Sequence, residues 1–169
     1  METHIGGDRA QDITNRLPFD GAIHIETIGR VGGLWLLWNL DRVEVSFLAS
    51  LEQEIHSTMK VRSSNFSWMF FVVYTSPRSA ERHILWNNLS NVVYLHKIPR
   101  VIAGDFNKPL IGADKFGGRV VSVNQALLFK DCLDKCNMVD LGFCSPKVTW
   151  TNGREIQDLI QERIDRFFC

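Results

Sequence analysis

An acidic and an amide side chain stand two residues apart in the segment RVIAGDFNKP, residues 100–109. The apolar run 101–103 predicts a buried strand, the run stops at Gly104, and Asp105 and Asn107 come next. Because side chains alternate along an extended chain, these two residues point to the same side. A carboxylate and a carboxamide side by side at the mouth of a strand form a polar site. The same residue types are common in turns, so an ordinary strand end is the alternative interpretation.

The composition predicts a folded domain and excludes a disordered or membrane-spanning chain. The 169 residues are within reach of one domain, and 45% of them are hydrophobic. Lysine plus arginine equals aspartate plus glutamate at 19 each, so no global field favours nucleic acid or membrane, although a local basic groove is compatible with this balance. No apolar run approaches the ~20 residues of a membrane span, and the polar start of the chain predicts no signal peptide.

The cysteines and histidines do not have the spacing of a metal site. No Cys-x-x-Cys pair occurs among the four cysteines, and the five histidines are scattered. Cys132 and Cys136 are four apart on a predicted helix, which is typical of small apolar core residues. This usage indicates a reducing, intracellular compartment.

Hydrophobic periodicity predicts strands interleaved with helices, partly as hairpins, and therefore an α+β or layered α/β domain. The tail from residue 154 fits two structures, because its isoleucines have helical spacing while ERIDRFF also alternates as a strand. Helices are predicted at 8–17, after Pro77 and from a capping Ser122; strands are predicted at 22–29, 34–38 (buried on both faces), 42–49, 67–75, 101–105 and 147–152; a Gly-rich loop is predicted at 112–119.

Several segments together resemble the endonuclease domains of plant non-LTR (long interspersed) retrotransposons, which belong to the endonuclease/exonuclease/phosphatase (DNase I-like) superfamily. GGLWLLW, GDFN, DKFGGR, MVDLGF, TWTN and ERIDR occur in this order, and VVYTSPRSAERHILWNNL resembles the family stretch with a tyrosine at a strand end. The resemblance covers essentially the whole chain. It implies an α/β sandwich of two mainly antiparallel β-sheets face to face, flanked by helices. It also places ERIDRFF in a core strand, so we predict a strand from near Glu162.

The chemistry that the resemblance implies is phosphodiester hydrolysis with Mg²⁺, or with Mn²⁺ in its place. Asp105 would handle the attacking water and Asn107 would hold a phosphate oxygen. Tyr74 would bind phosphate or help the leaving group, Glu2 would ligate the metal, and Asp165 would orient a histidine or support the metal region. The alternatives are a half-buried aromatic at Tyr74, a frayed terminus at Glu2, and a helix-surface charge at Asp165 paired with a neighbouring arginine.

The chain departs from the family pattern at both ends. The family has a strand with a metal-supporting asparagine before the position of Met1, and its last strand carries an Asp-His pair that does not occur in this sequence. We therefore expect one incomplete domain over residues 1–169, without the first and last core strands. As a hydrolase it is expected to be inactive or weak.

DNA is the expected partner, with no membrane, and the parent element is expected to carry a reverse transcriptase domain. Action on genomic DNA would place the protein in the nucleus. Two other functions stay open: a non-catalytic remnant or interaction module of the same fold, and a phosphatase for a small phosphorylated substrate. Five basic residues near the motifs either follow a DNA backbone or lie on the solvated surface: Arg78, Arg82, Lys108, Arg119 and Arg154.

Overall fold

The computed structural model describes residue 5 and residues 7–25, 33–144 and 146–169. These residues divide into two compact units, each of which is built from two segments of the chain. The expectation of a single domain over residues 1–169 stays a prediction. The first unit is Met1–Tyr74 with Ile98–Gly104, and the second is Thr75–Lys97 with Asp105–Cys169.

The first unit is dominated by a sheet whose strand order is β6-β5-β4-β3. Strands β3, β4 and β5 form an antiparallel meander. The bonds from Met69 N–H to Pro99 O and from Thr75 N–H to Asp105 O have the same sequence offset, so β6 is parallel to β5. The elements are α1 (Gly7–Thr14), β1 (Gly21–His24), β2 (Trp35–Trp38), β3 (Val43–Leu51), β4 (Glu54–Val61), β5 (Ser67–Tyr74) and β6 (Arg100–Asp105), with β1 and β2 as an antiparallel pair.

Strand β4 does not follow from the sequence pattern, because several of its buried residues are polar. Glu54, His56 and Ser57 are 1%, 6% and 0% exposed. His56 Nε2 lies 2.7 Å from Glu54 Oε2, and Ser57 Oγ donates to Phe70 O at 3.1 Å. These polar groups are therefore paired inside the sheet. The apolar alternation of Ile55, Met59 and Val61 is interrupted at Ser57, which weakens the strand pattern.

The core of the first unit is an apolar cluster that includes the predicted functional tyrosine. Its buried members come from β4, β5, β2 and the residue before β2, and burying each large apolar side chain contributes about 1.5–3 kcal/mol. The prediction that 34–38 is buried on both faces is wrong, since within β2 only Leu36 is buried and the others are half-buried. The buried members are Leu34, Leu36, Ile55, Met59 and Tyr74.

The second unit packs two helices together and carries a small antiparallel sheet of order β7-β9-β8. The prediction of a strand near Glu162 is confirmed: β9 and β10 form there, and residues 155–160 are not helical. The elements are α2 (Ser79–Leu95), a 3₁₀ turn (Gly112–Asp114), β7 (Lys115–Phe116), α3 (Val123–Lys135), β8 (Trp150–Thr151), β9 (Gln161–Glu162) and β10 (Asp165–Phe168).

The mixed α/β class predicted from the sequence is confirmed. Cys132 and Cys136 are buried, as the helical spacing predicts. Ser122 is the N-cap residue of α3, but its side chain makes no capping hydrogen bond. In the part of the chain that the structure describes, no helix is both long and apolar enough to cross a membrane.

Candidate active site

The end of β6 is shaped by Gly104, whose backbone no other residue type could adopt without strain. Its φ is +147°, and a Cβ atom at this position would lie 1.9 Å from Val73 O. Glycine thus allows β6 to run directly beside β5 up to the point where the polar residues begin.

Asp105 and Asn107 are fixed to each other by a local hydrogen bond. The Asn107 N–H donates to Asp105 Oδ1 at 2.7 Å, which closes an Asx turn. Asn107 has a φ of +49°, a left-handed conformation that asparagine tolerates better than most residues. The turn predicted as the ordinary alternative is therefore present, and it is also what holds the two polar side chains together.

A backbone carbonyl from the preceding segment determines how the Asn107 amide is oriented. Asn107 Nδ2 donates to Thr75 O at 2.7 Å, and the Thr75 N–H donates to Asp105 O at 2.8 Å. A carbonyl can only accept, so the amide nitrogen must face Thr75 and the Oδ1 atom must point away from it. One amide N–H and the Oδ1 atom are then left for a ligand. No sequence signal marks Thr75 for this role.

The residue between the two polar groups anchors the turn in the core of the second unit. Phe106 is 1% exposed and lies in a group of aromatic rings. Its ring stacks on Phe129 at a centroid distance of 5.0 Å and on Trp86 at 6.3 Å, and it meets Phe168 edge-on at 5.1 Å. Packing of this kind fixes the backbone on either side of the ring.

Asp165 is brought next to this turn by the backbone. The Phe106 N–H donates to Ile164 O at 2.9 Å, so residues 105–107 lie beside residues 164–165. The Asp165 N–H donates to Thr149 Oγ1 at 3.1 Å, and Asp165 lines a pocket of about 440 Å³ together with Thr149 and Phe143. A catalytic role for its carboxylate stays a prediction.

The arginines on either side of Asp165 belong to a buried ion-pair network with other carboxylates. Arg166 bonds to the carboxylates of Asp114 and Asp140. Arg163 Nη2 lies 2.8 Å from Asp140 Oδ1. Burial alone would raise the pKa of Asp140, but the Gly142 N–H and the two guanidinium groups outweigh it and hold the pKa below its usual range. Sequence reasoning missed this network, because its carboxylates lie far away along the chain.

Two of the predicted site residues, Tyr74 and Glu2, are not among the residues that the second unit brings together at this turn. Tyr74 belongs to the first unit, where it is 6% exposed in the core cluster and its N–H donates to Gln53 O at 2.9 Å. Its predicted role at a phosphate stays a prediction. Glu2, the predicted metal ligand, lies outside the described residues. Among the residues that are described, no three His, Cys, Asp or Glu side chains form a group that could hold a metal ion.

The five basic residues for which a DNA contact and a solvated surface position were both left open differ in availability. Arg82 is not available, because it is 4% exposed and its Nη1 donates to the carbonyl oxygens of residues 76 and 77 at 3.0 and 2.7 Å. Arg78 pairs with Glu81 at 2.9 Å. Arg119 and Arg154 are exposed, and Lys108 lines a pocket.

The structure is similar to several solved structures at low sequence identity. The endonuclease domain of TRAS1, a telomere-specific non-LTR retrotransposon, is 14% identical with a TM-score of 0.68, over 88% of this chain and 66% of that one. The AP endonuclease LMAP from Leishmania major is 12% identical with a TM-score of 0.62, over 88% and 61%. The human Nocturnin catalytic domain is 16% identical with a TM-score of 0.60, over 95% and 64%.

These similarities establish the fold as the DNase I-like α/β sandwich that the motifs predicted. No family model matches the chain, and no curated protein matches it. The chain spans less than two thirds of the length of each of these three solved chains. The predicted loss of the first and last core strands stays a prediction.

Proposed function

We propose that this chain is a DNA-cutting, Mg²⁺-dependent phosphodiesterase domain of the kind found in non-LTR retrotransposons. The observation that carries the proposal is the orientation of Asn107 by the Thr75 carbonyl, beside the Asp105 carboxylate. A surface turn would not need its amide fixed by a residue 32 positions away. Fixing polar groups in advance is the usual requirement of a site that stabilises a transition state.

The two side chains divide the work by their chemistry. The Asp105 carboxylate is an acceptor and suits a water molecule, which it orients or deprotonates for attack on phosphorus. Asn107 has one amide N–H left after its bond to Thr75, and this donor suits a phosphate oxygen. General-base action of this type typically contributes 10²–10⁴-fold to a rate. Tyr74 is proposed as a further phosphate donor.

The donor atoms at the turn suit Mg²⁺. Asp105 and Asn107 offer carboxylate and amide oxygens, without a sulfur or imidazole ligand, and Mg²⁺ prefers oxygen ligands while it retains several waters. Glu2 would ligate the metal, while Asp105 would handle the attacking water. A bound Mg²⁺ would polarise the phosphate and stabilise the leaving oxygen. We expect nicking by the 169-residue chain to be slow, because the Asp-His pair of the family does not occur in its sequence.

Nicking of supercoiled plasmid tests the proposal with a matched pair of variants. Asp105→Asn keeps the size of the side chain and the Oδ1 acceptor for the Asn107 N–H but removes the charge, so it should lower the nicking rate by about 10²-fold or more. Asp134→Asn removes an exposed carboxylate from α3 and should leave the rate unchanged. Omitting the divalent ion should abolish nicking.

Three outcomes decide between the functions. Equal nicking by the wild-type chain and Asp105→Asn would refute the proposed site. DNA binding without nicking, even with Mg²⁺ or Mn²⁺, would favour the non-catalytic module. Release of phosphate from a small phosphomonoester, with the plasmid intact, would favour the phosphatase.

A further inference from the structure

A pocket in the second unit concentrates positive charge directly after the candidate catalytic residues. It has a volume of about 340 Å³ and starts at Lys108, the residue that follows Asn107. Lys108, Lys115 and Arg119 line it, against one carboxylate, Glu162. The formal net charge of the chain is zero, so this excess is local.

One carboxylate cannot neutralise the three cations of the pocket. Lys115 bonds to Glu162, and their side chains are 18% and 17% exposed. Lys108 and Arg119 form no ion pair within the described part of the chain. Burial lowers the pKa of Lys108, and the nearby Arg82 and Lys115 lower it further while Glu162 opposes them. A cation in this position would be stabilised by an incoming anion.

A glycine pair directly precedes Arg119, one of the residues that line the pocket. Gly117 and Gly118 have φ values of +71° and +64°. A Cβ atom would lie 2.0 Å from Leu159 O at the first position and 2.8 Å from Ile160 Cδ1 at the second. The DKFGGR motif therefore has a physical reason: its glycines allow the close approach, and Arg119 follows at the pocket edge.

The first turn of α3 completes the pocket. Ser122, Gln125 and Ala126 line it, and this 13-residue helix has no acidic residue in its first turn. Free N–H groups and the helix dipole add positive potential to that of the side chains. The amide of Gln125 adds a neutral polar group to the lining.

We propose that this pocket binds a backbone phosphate of the nucleic acid strand, next to the phosphate held at Asn107. The inference rests on the proposed function, and it adds the path that the bound nucleic acid strand follows on the protein. A polynucleotide carries its phosphates in a row, so a strand with one phosphate at Asn107 brings its neighbours within reach of the Lys108 side chain. Phosphate contacts of this kind fix the register of the strand without reading its sequence.

Duplex binding as a function of salt tests the pocket apart from catalysis. A short fluorescein-labelled DNA duplex is titrated with protein in the absence of divalent ions, and anisotropy is measured over a series of NaCl concentrations. Lys108→Gln and Arg119→Gln should each weaken binding about 3- to 10-fold at low salt. Each should also reduce the slope of log K against log salt by about 0.9. Lys60→Gln, which removes one exposed cation from the first unit, is the control.

A variant that is expected to raise the affinity for DNA distinguishes a loss of phosphate contacts from misfolding. Glu162→Gln removes the carboxylate that neutralises Lys115, so it should tighten duplex binding several-fold. Affinities and slopes for Lys108→Gln and Arg119→Gln equal to those of Lys60→Gln would overturn the inference.

The result also separates this inference from the proposed function. Asp105-dependent nicking together with unchanged binding by the pocket variants would overturn the pocket alone. Failure of the wild-type chain to bind duplex at low salt would overturn both.

Discussion

Replacing Arg166 by methionine should destabilise the second unit strongly. The Arg166 side chain is 1% exposed and neutralises two carboxylates, of which Asp114 is 3% exposed and Asp140 is 21% exposed. Methionine keeps much of the volume but leaves Asp114 buried without its principal counter-ion. Breaking a buried pair from one side costs about 3–5 kcal/mol. At about 2–4 °C per kcal/mol for a chain of this length, the melting temperature should fall by roughly 6–20 °C.

Thermal melts followed by circular dichroism, together with urea titrations, measure this effect. Arg154→Met, which removes an exposed arginine, is the control and should stay within about 0.5 kcal/mol of the wild-type chain. Arg166→Lys should fall between the two, because a single ammonium cannot bridge both carboxylates as a guanidinium does. Adding Asp114→Asn to Arg166→Met should recover part of the loss, since it removes the uncompensated charge. A melting temperature for Arg166→Met close to that of Arg154→Met would refute the reasoning.

Two further predictions concern the same architecture. Gly104→Ala should lower the free energy of unfolding by about 3 kcal/mol or more in urea titrations, because a Cβ would lie 1.9 Å from Val73 O at a φ of +147°. A loss under about 1 kcal/mol would show that β5 and β6 can move apart at little cost in free energy. The pKa of Asp140 is held below its usual range in the folded protein. The stability that its carboxylate contributes is therefore present above the unfolded pKa of about 3.9 and should be lost as the pH falls through the folded pKa. Unfolding free energies measured between neutral and acidic pH should drop less steeply for Asp140→Asn than for the wild-type chain, and an identical drop would contradict the assignment.

The sequence predicts the strands and helices whose polar and apolar residues alternate or repeat in a regular way. The tail shows the limit of local pattern, since Ile156, Ile160 and Ile164 have helical spacing and the chain nonetheless forms β9 and β10 there. Pairing within the sheets outweighs a weak helical propensity, and the family motif, rather than the periodicity, indicated this outcome. Strand β4 was not predicted from the sequence, because its buried polar groups are satisfied by partners that only the folded sheet supplies.

The candidate site likewise has features that the sequence predicts and features that depend on the tertiary fold. GDFN predicts which residues are polar and that they share a strand end, which is a local property. The bond from Asn107 to Thr75 O spans 32 residues, and the pairing of Arg166 with Asp114 spans 52. Contacts at such separations depend on the tertiary fold, which no local pattern specifies. The same holds for the cationic pocket, whose lining comes from residues 108–126 together with Glu162.

The burial of Phe106 implies that the GDFN tetrapeptide is not a portable unit. Its two polar side chains, Asp105 and Asn107, flank a ring that is held by Trp86, Phe129 and Phe168. Grafting these four residues onto another strand end would transfer the functional groups without the interior that orients them. Variation at any of the three surrounding rings is accordingly expected to disturb how Asp105 and Asn107 are held. Under the proposed function, selection for accurate chemistry would therefore act on aromatic residues that never meet a substrate.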